Sequence, residues 1–139
     1  MSGRAFVDSN VLVYAHDLSA GEKRARAAAL LHDLWVTRQG CLSVQVLQEF
    51  YNVTTRKQLL TLPLAGASVR WYAQWTIHEP SARDVISAIG LHQEILASFW
   101  DAMILTSAAR LGCELLWSED LNPEQHYGGV QVRNPFEAW

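Results

Sequence analysis

The segment Arg-x-Gly-Cys occurs twice in this chain of 139 residues, at 38–41 and at 110–113. Each copy follows a stretch whose apolar residues have helical spacing, and each leads into a short apolar run. Both copies therefore indicate a junction at which a helix ends at a glycine and a strand begins, and we expect Gly40 to take the left-handed conformation that ends the first of these helices. Because such junctions are typical of sheets whose parallel strands are connected by helices, we expect an α/β fold with a mostly parallel sheet. We interpret the two copies as equivalent junctions and not as a repeat architecture.

The rest of the chain alternates in the same way between short apolar runs and amphipathic stretches. We expect strands at 5–7, 41–42, 76–78, 114–117 and 130–132. We expect helices at 10–14, 22–38, 44–57, 68–75, 81–94 and 98–110. Serines three residues before aspartates predict capping boxes at the starts of the last two helices, and 122–129 is predicted to be a loop. No linker separates these elements, so we expect one domain over residues 1–139.

The composition limits the class of protein without identifying it. Half of the residues are hydrophobic and 18% are charged, as in globular proteins. No apolar run approaches the ~20 residues that span a bilayer, and Asp8 interrupts the first run too early for a secretory signal. We therefore expect a cytoplasmic protein with no membrane partner. Cys41 and Cys113 lack zinc-binding spacing, and we expect both to be buried thiols.

Four acidic residues stand in related positions along the predicted fold. Asp8 and Asp120 follow predicted strands, while Glu49 and Asp101 lie on predicted helices, Glu49 on the one after the second strand. The carboxyl ends of parallel strands meet at one edge of the sheet, which is where such folds bind ligands. Several carboxylates at that edge would repel one another unless a cation lay between them. The sequence therefore predicts a site for a divalent metal ion.

Each of these acids also has a structural interpretation. Asp8 is suited to cap the helix after it, Asp101 to complete a capping box, and Asp120 to form a turn. Glu49 lies on a polar helix face, which solvation alone explains. Glu119 competes with Asp120 for the inward position, and the spacing does not decide between them.

The net charge of −3 does not exclude a phosphodiester substrate. The chain has 11 basic and 14 acidic residues, so setting the four acids aside leaves 10 acidic residues and a balance of +1. Two bound divalent ions would change the net charge by the same amount.

Four segments together resemble the motifs of the PIN-domain ribonucleases, in particular the VapC-like toxins of bacterial toxin–antitoxin pairs. The segments are 6–14 with Asp8, 46–52 with Glu49, 98–102 with Asp101 followed by Ala108 and Ala109, and 116–121 with Asp120. Their order and approximate spacing agree with the family over nearly the whole chain. In the last motif of the family the aspartate after Thr/Ser-x carries the site, which favours Asp120 over Glu119.

The resemblance implies a three-layer α/β/α sandwich, dependence on Mg²⁺ or Mn²⁺, and endonucleolytic cleavage of RNA. It also implies a homodimer that a cognate antitoxin silences by inserting near the site. The implied catalytic acids are Asp8, Glu49, Asp101 and Asp120. We expect Asp8 and Asp101 to be the principal metal ligands, with Glu49 and Asp120 binding directly or through water. A water activated by the metal would then hydrolyse the phosphodiester.

The same hypothesis assigns roles to further side chains. Ser9 and Asn10 would orient a water or a phosphate oxygen. The candidate RNA contacts are Lys23, Arg24, Arg26, Arg56 and Lys57, for each of which plain solvation is the alternative. The tryptophans at core-like helical positions, which we expect to be buried and not to stack on bases, are Trp35, Trp71, Trp75 and Trp100.

Two other functions remain open at this stage. A PIN-like module that binds RNA or a protein without cutting is compatible with all four acids. A phosphatase of the haloacid-dehalogenase type also begins with a strand followed by Asp-x-Asp. Here, however, Asn10 replaces the second aspartate, and the only lysines, Lys23 and Lys57, offer no good mid-chain candidate. The sequence does not specify the target RNA, the number of metal ions, the antitoxin or the dimer interface.

Overall fold

The computed structural model describes residues 3–123 and 126–137, with only the backbone of residue 126. This part of the chain contains six strands, six α-helices and one short 3₁₀ helix, Leu18–Ala20. The strands are β1 (Ala5–Val7), β2 (Gly40–Ser43), β3 (Thr76–His78), β4 (Leu115–Trp117), β5 (His126–Tyr127) and β6 (Val130–Arg133). The helices are α1 (Ser9–Ala15), α2 (Glu22–Thr37), α3 (Val44–Arg56), α4 (Leu62–Tyr72), α5 (Ala82–His92) and α6 (Phe99–Arg110).

The strands form one sheet in the order β3-β2-β1-β4-β6-β5. All neighbouring strands are parallel except β5, which pairs antiparallel with β6 at one edge. Helices α1 to α4 pack on one another, and α5 packs on α6. This architecture confirms the predicted three-layer α/β/α sandwich with a mostly parallel sheet.

Strand β1 lies between β2 and β4 and is buried along its whole length. Ala5 aligns with Gly40 on one side and with Leu115 on the other, and Val7 aligns with Trp117. A strand covered by helices on both faces is apolar throughout, which explains the unbroken run before Asp8. The parallel register brings the residues that follow β1 and β4 to the same edge of the sheet.

The junction between α2 and β2 differs from the prediction. The left-handed residue that ends α2 is Arg38, with φ 59°, and not Gly40. Gly40 is instead the first residue of β2, where a Cβ would collide with the ring of Trp75. The glycine is therefore required by close packing and not by its backbone conformation.

Helix α4 begins at Leu62, six residues before its predicted start. The Thr61 side chain accepts a hydrogen bond from the Leu64 N–H at 3.3 Å and caps the helix. Pro63 lies in the first turn, where its missing N–H and fixed φ are tolerated. The proline is therefore part of the helix start, although it indicates a break when taken alone.

Of the two predicted capping boxes, the one at Ser81 is complete. Ser81 accepts from the Asp84 N–H, and the Asp84 carboxylate accepts from the Ser81 N–H at 2.8 Å. At Ser98 the hydroxyl accepts from the Asp101 N–H at 3.1 Å, but no return bond from Ser98 to the Asp101 carboxylate exists among the described residues. The predicted loop 122–129 also contains strand β5.

Cys41 and Cys113 are buried free thiols, as predicted. The prediction for the tryptophans is wrong at two positions, because Trp71 is 54% exposed and Trp100 is 61% exposed. No helix in the described part of the chain is both long enough and apolar enough to span a membrane.

Candidate active site

Asp8 lies where β1 ends and α1 begins, and its side chain is buried. Its backbone N–H donates to the Trp117 carbonyl at 2.9 Å, which fixes it at the edge of the sheet. The carboxylate accepts from the Ser9 N–H at 2.7 Å, from the Ser118 hydroxyl at 2.8 Å and from the Asn10 amide at 3.4 Å. The bond from Ser9 caps α1. A capping role and a role in the site are therefore compatible for this residue.

The electrostatic environment of Asp8 is unfavourable for a bare carboxylate. Burial raises the pKa of Asp8 to about 7, and the neighbouring charges of Glu49 and Asp101 act in the same direction. The hydrogen bonds from Ser118 and Ser9 oppose this rise and only partly offset it. The metal-free carboxyl therefore holds its proton more tightly than an exposed carboxyl does. A nearby cation would favour the ionised form.

Glu49 projects from α3 towards the start of α1. Its carboxylate accepts from the Ser9 hydroxyl at 3.0 Å and from the Gln45 amide at 3.3 Å. The same Gln45 amide donates to the Trp100 carbonyl in α6 at 3.2 Å. Ser9 and Gln45 therefore hold Glu49 in place and link three helices around the candidate site.

Asp120 lies in the loop that follows β4. Its carboxylate accepts from the Asn10 amide at 3.1 Å, and its backbone N–H donates to the Ser118 hydroxyl at 3.2 Å. The Asn10 amide also lies 3.4 Å from the Ser118 hydroxyl, and the Asn10 carbonyl oxygen accepts from the Glu119 N–H at 3.3 Å. Asn10 therefore bridges the carboxylates of Asp8 and Asp120 and fixes the loop against α1.

Asp101 lies in the first turn of α6, where its carboxylate is partly exposed. Asp101 and Asp120 line one cleft of about 370 Å³, together with Ile95 and Leu96. Because the charge of Asp101 also contributes to the raised pKa of Asp8, the two carboxylates lie near one another. The structure thus brings all four predicted acids to the same edge of the sheet.

Glu119 points away from this group, although it precedes Asp120 in sequence. Its carboxylate accepts from the Tyr14 hydroxyl at 2.7 Å and pairs with Lys23. The Lys23 ammonium also lies 5.0 Å from the centre of the Tyr14 ring and 5.5 Å from that of Phe136. The loop thus presents Asp120 to Asn10 and anchors Glu119 on α1 and α2.

The five candidate RNA-binding cations differ in their surroundings. Lys23 is already paired with Glu119, and Arg26 lies 3.4 Å from Glu22. Arg24, Arg56 and Lys57 are exposed. Contact with RNA stays a prediction for all five.

Two residues of the site were missed by sequence reasoning. Ser118 is fully buried, and its hydroxyl contacts Asp8, Asn10 and the Asp120 N–H. The only signal for it is the Ser-x-Asp spacing in the last motif. Gln45 shares a helix face with Glu49, but its link to the Trp100 carbonyl depends on how α3 packs against α6.

The donor chemistry of the site fits a hard divalent cation, although the side chains do not form a closed cage. Among the described residues, no three His, Cys, Asp or Glu side chains are grouped closely enough to hold a metal ion. The donors at the site are carboxylate, amide and hydroxyl oxygens, which suit Mg²⁺ and Mn²⁺, and Mg²⁺ usually keeps several of its waters. In addition, the described contacts give buried Asp8 no basic partner. The donor types therefore fit such an ion, and metal binding here stays a prediction.

The fold and this arrangement of acids define a class of protein. The model of the PIN domain family matches residues 5–128, so the chain belongs to the PIN domain family. A comparison with curated proteins finds no significant match.

Solved structures with the same fold include toxins of toxin–antitoxin systems. A toxin–antitoxin complex from Klebsiella pneumoniae matches with a TM-score of 0.71 and 22% identity, covering 96% of this chain and 99% of that one. VapC20 of Mycobacterium tuberculosis, a toxin that cleaves the sarcin–ricin loop, matches with a TM-score of 0.64 and 20% identity, covering 84% and 91%. VapBC2 of Rickettsia felis, bound to a DNA fragment from its promoter, matches with a TM-score of 0.64 and 14% identity. This match covers 94% of this chain and 97% of that one. At these identities the likeness shows a shared fold.

Proposed function

We propose that this chain is a VapC-like toxin that hydrolyses RNA phosphodiester bonds in the cytoplasm with the help of a divalent metal ion. The observation that carries the proposal is the buried carboxyl of Asp8, whose pKa rises to about 7 beside the negative charges of Glu49 and Asp101. A protein gains nothing in stability by collecting carboxylates there, whereas an oxygen-rich cation site needs them. Membership of the PIN domain family supports the same conclusion.

In this proposal Asp8 and Asp101 hold the metal, and Glu49 and Asp120 complete the site directly or through water. Mg²⁺ or Mn²⁺ bound there would supply Lewis acidity, which makes water nucleophilic at neutral pH and offsets charge on the phosphate. Asp8 would hold such an ion in its ionised form, because only the ionised carboxylate is a metal ligand.

The polar residues between the acids position them. The Ser9 hydroxyl holds Glu49, and the Asn10 amide holds both Asp8 and Asp120. The Ser118 hydroxyl, directly after the neighbouring parallel strand β4, fixes Asp8 from the same edge of the sheet. We propose that the Ser9 and Asn10 side chains also orient a water or a phosphate oxygen, through hydrogen-bonding capacity that these bonds leave free.

The proposed partners are RNA, a cognate antitoxin and a second copy of the chain. The Klebsiella relative is a toxin–antitoxin complex, and the Rickettsia relative is VapBC2 bound to promoter DNA, which supports an antitoxin here. The proposed RNA contacts are Lys23, Arg24, Arg26, Arg56 and Lys57, of which Arg24, Arg56 and Lys57 are exposed. Membership of the PIN domain family argues against the phosphatase alternative.

The test is to incubate the purified chain, free of antitoxin, with end-labelled total RNA in Mn²⁺ and in EDTA. We expect discrete fragments in Mn²⁺ that are absent in EDTA. RNA that stays intact in Mn²⁺ but is retained by the folded chain would indicate the non-cutting module instead. RNA that is neither cut nor bound would contradict both functions.

A further inference from the structure

A cavity of about 370 Å³ lies at the edge of the sheet opposite the candidate active site. It is lined by residues from the end of α2 and from the starts of β2 and β3, whereas Asp8 follows the carboxyl end of β1. Small-molecule sites have volumes of about 300–1,000 Å³, so this cavity is large enough for a small ligand. It shares no lining residue with the group of acids.

Two indole rings, those of Trp35 and Trp75, form part of the cavity wall. Their ring centres lie 6.3 Å apart, with 45° between the planes. Trp71 stacks on Trp35 with 4.5 Å between ring centres, which fixes the plane of the Trp35 ring. Trp75 lies directly against Gly40, where a Cβ would collide with its ring. The glycine at the start of β2 therefore makes room for an aromatic wall of this cavity.

Arg38 adds a positive charge to the lining, in a backbone conformation that arginine seldom adopts. Its φ of 59° lies in the left-handed region, which glycine and asparagine enter with less strain. Among the described residues, no acid forms an ion pair with its guanidinium, which is exposed. Strained non-glycine residues of this kind are concentrated at functional sites, including sites that clamp a ligand. An unpaired guanidinium beside two indoles indicates a ligand that is both aromatic and anionic.

Two further polar groups belong to the same lining. The indole nitrogen of Trp75 is buried and has no hydrogen-bond partner among the described residues. Unpaired buried donors destabilise a fold and are rare, so this one calls for an acceptor on a bound molecule. The exposed Gln74 amide next to it offers both a donor and an acceptor. The cavity thus combines flat apolar walls with a few polar groups, as ligand sites do.

We propose that this cavity is a second binding site, which takes a small aromatic anion of the nucleoside monophosphate class. The base lies against the Trp35 and Trp75 rings, because indoles stack on the flat face of a base. The phosphate pairs with Arg38, whose planar guanidinium binds two phosphate oxygens at once. An aliphatic anion would leave the indoles uncovered, and a neutral ring would leave Arg38 unpaired. Binding needs no metal ion, because no carboxylate lines the cavity.

Calorimetric titration with adenosine monophosphate in EDTA tests this inference. EDTA removes metal ions that would otherwise hold the phosphate at the acids. Adenosine and inorganic phosphate are titrated separately, because each carries only half of the proposed chemistry. The main variant is Arg38→Asn, which removes the cation and keeps a residue that tolerates the left-handed backbone. Arg83→Gln is the matched control, since Arg83 is an exposed arginine on α5 and does not line the cavity. A second variant, Trp35→Leu, removes one aromatic wall.

We expect the wild type to bind adenosine monophosphate with a Kd below ~1 mM, and adenosine or phosphate about tenfold more weakly. Arg38→Asn should weaken binding of the nucleotide about tenfold or more, because hydrogen bonds to a charged group are lost. It should leave the affinity for adenosine unchanged. Trp35→Leu, once its fold has been verified, should weaken binding of both the nucleotide and adenosine. The Arg83→Gln protein should bind like the wild type.

Three results would overturn the inference. The first is a wild-type protein that does not bind adenosine monophosphate at ~1 mM. The second is equal affinity for the nucleotide in the Arg38→Asn and Arg83→Gln proteins. The third is inorganic phosphate that binds as tightly as the nucleotide, which would leave the indoles without a role. None of these results bears on the proposed function, because the titrations contain no metal ion and the cavity lies away from the acids.

Discussion

At the scale of single residues, Asp8 shows how the fold sets the chemistry of the site. Its position at the end of a buried strand removes water from the carboxyl, and this burial is the main cause of its raised pKa. Two neighbouring carboxylates add to the effect. The ionised carboxyl of Asp8 therefore destabilises only the metal-free protein, since a bound cation would compensate its negative charge.

This leads to a prediction about pH and stability. The folded pKa of Asp8, about 7, lies above the ordinary value of 3.8, so the folded state binds the proton more tightly. Protonated Asp8 therefore stabilises the folded state fully at pH values below the unfolded pKa. This stabilisation is lost as the pH rises through the folded pKa of about 7. In EDTA at pH 8, Asp8→Asn should therefore be more stable than the wild type by about 1–3 kcal/mol, and the gain should vanish near pH 4.

Urea unfolding at both pH values measures this difference. Asp33→Asn is the control, because Asp33 is an exposed acid on α2. It should change the free energy of unfolding by less than about 0.5 kcal/mol. An Asp8→Asn protein that is less stable than the wild type at pH 8 would contradict the account of Asp8.

At the scale of secondary-structure elements, the site depends on how the loop after β4 is anchored. Glu119 connects this loop to α1 through Tyr14 and to α2 through Lys23. Its backbone N–H bonds Asn10, which in turn holds Asp120. We infer that Glu119 positions Asp120 and is not itself a ligand of the proposed metal ion.

Glu119→Ala should therefore weaken Mn²⁺ binding about tenfold, the loss typical of removing a group that orients a ligand. Calorimetric titration with Mn²⁺ measures the affinity directly. Glu79→Ala serves as the control, because Glu79 is exposed and lies outside the loop. Equal Mn²⁺ affinities in the two variants would show that Glu119 has no positioning role.

A second prediction at this scale concerns the pair of helices α5 and α6. The Ser81 N–H and the Arg110 guanidinium, the latter 2.7 Å away, hold the pKa of Asp84 down to about 2. Because this pKa is depressed, ionised Asp84 stabilises the folded state at pH values above the unfolded pKa. This stabilisation is lost as the pH falls towards 2. Asp84→Ala should cost about 1–2 kcal/mol at pH 7. The cost should shrink near pH 2, as urea unfolding at the two pH values would reveal.

Asp84→Ala should leave cleavage per folded molecule unchanged, since Asp84 lies outside the acid group. Loss of activity in a folded Asp84→Ala protein would mean that α5 and α6 position the site more closely than these contacts indicate. An equal cost at pH 7 and pH 2 would show that the ionised carboxylate is not the stabilising group.

Much of this architecture could be predicted from sequence, because alternation of short apolar runs and helical stretches determines a parallel sheet and its functional edge. Asp8 was found for that reason. The exposure of Trp100 could not be predicted, since α6 is buried from Ala102 to Ala108 and its periodicity does not distinguish an outer face. The start of α4 was missed because Pro63 fits a first turn as well as a break. The role of Ser118 depends on the register of β4 against β1.

At the scale of the whole molecule, the net charge of −3 has to be reconciled with an RNA substrate. The four acids of the site account for this sign, since without them the 11 basic residues face 10 acidic ones. Binding of divalent ions would therefore make the net charge of the surface near the cleft less negative. We expect RNA affinity to depend on the metal, and not only on the exposed arginines.

The central claim is that one group of acids binds the metal ion on which RNA cleavage depends. A matched pair of variants tests this claim most directly. Asp101→Asn and Asp33→Asn each remove one negative charge, the first at the site and the second on the surface of α2. The measurement is the rate of Mn²⁺-dependent RNA cleavage by each variant after its fold has been verified. We predict no detectable cleavage by Asp101→Asn and a wild-type rate for Asp33→Asn. Cleavage at the wild-type rate by a folded Asp101→Asn protein would contradict the account.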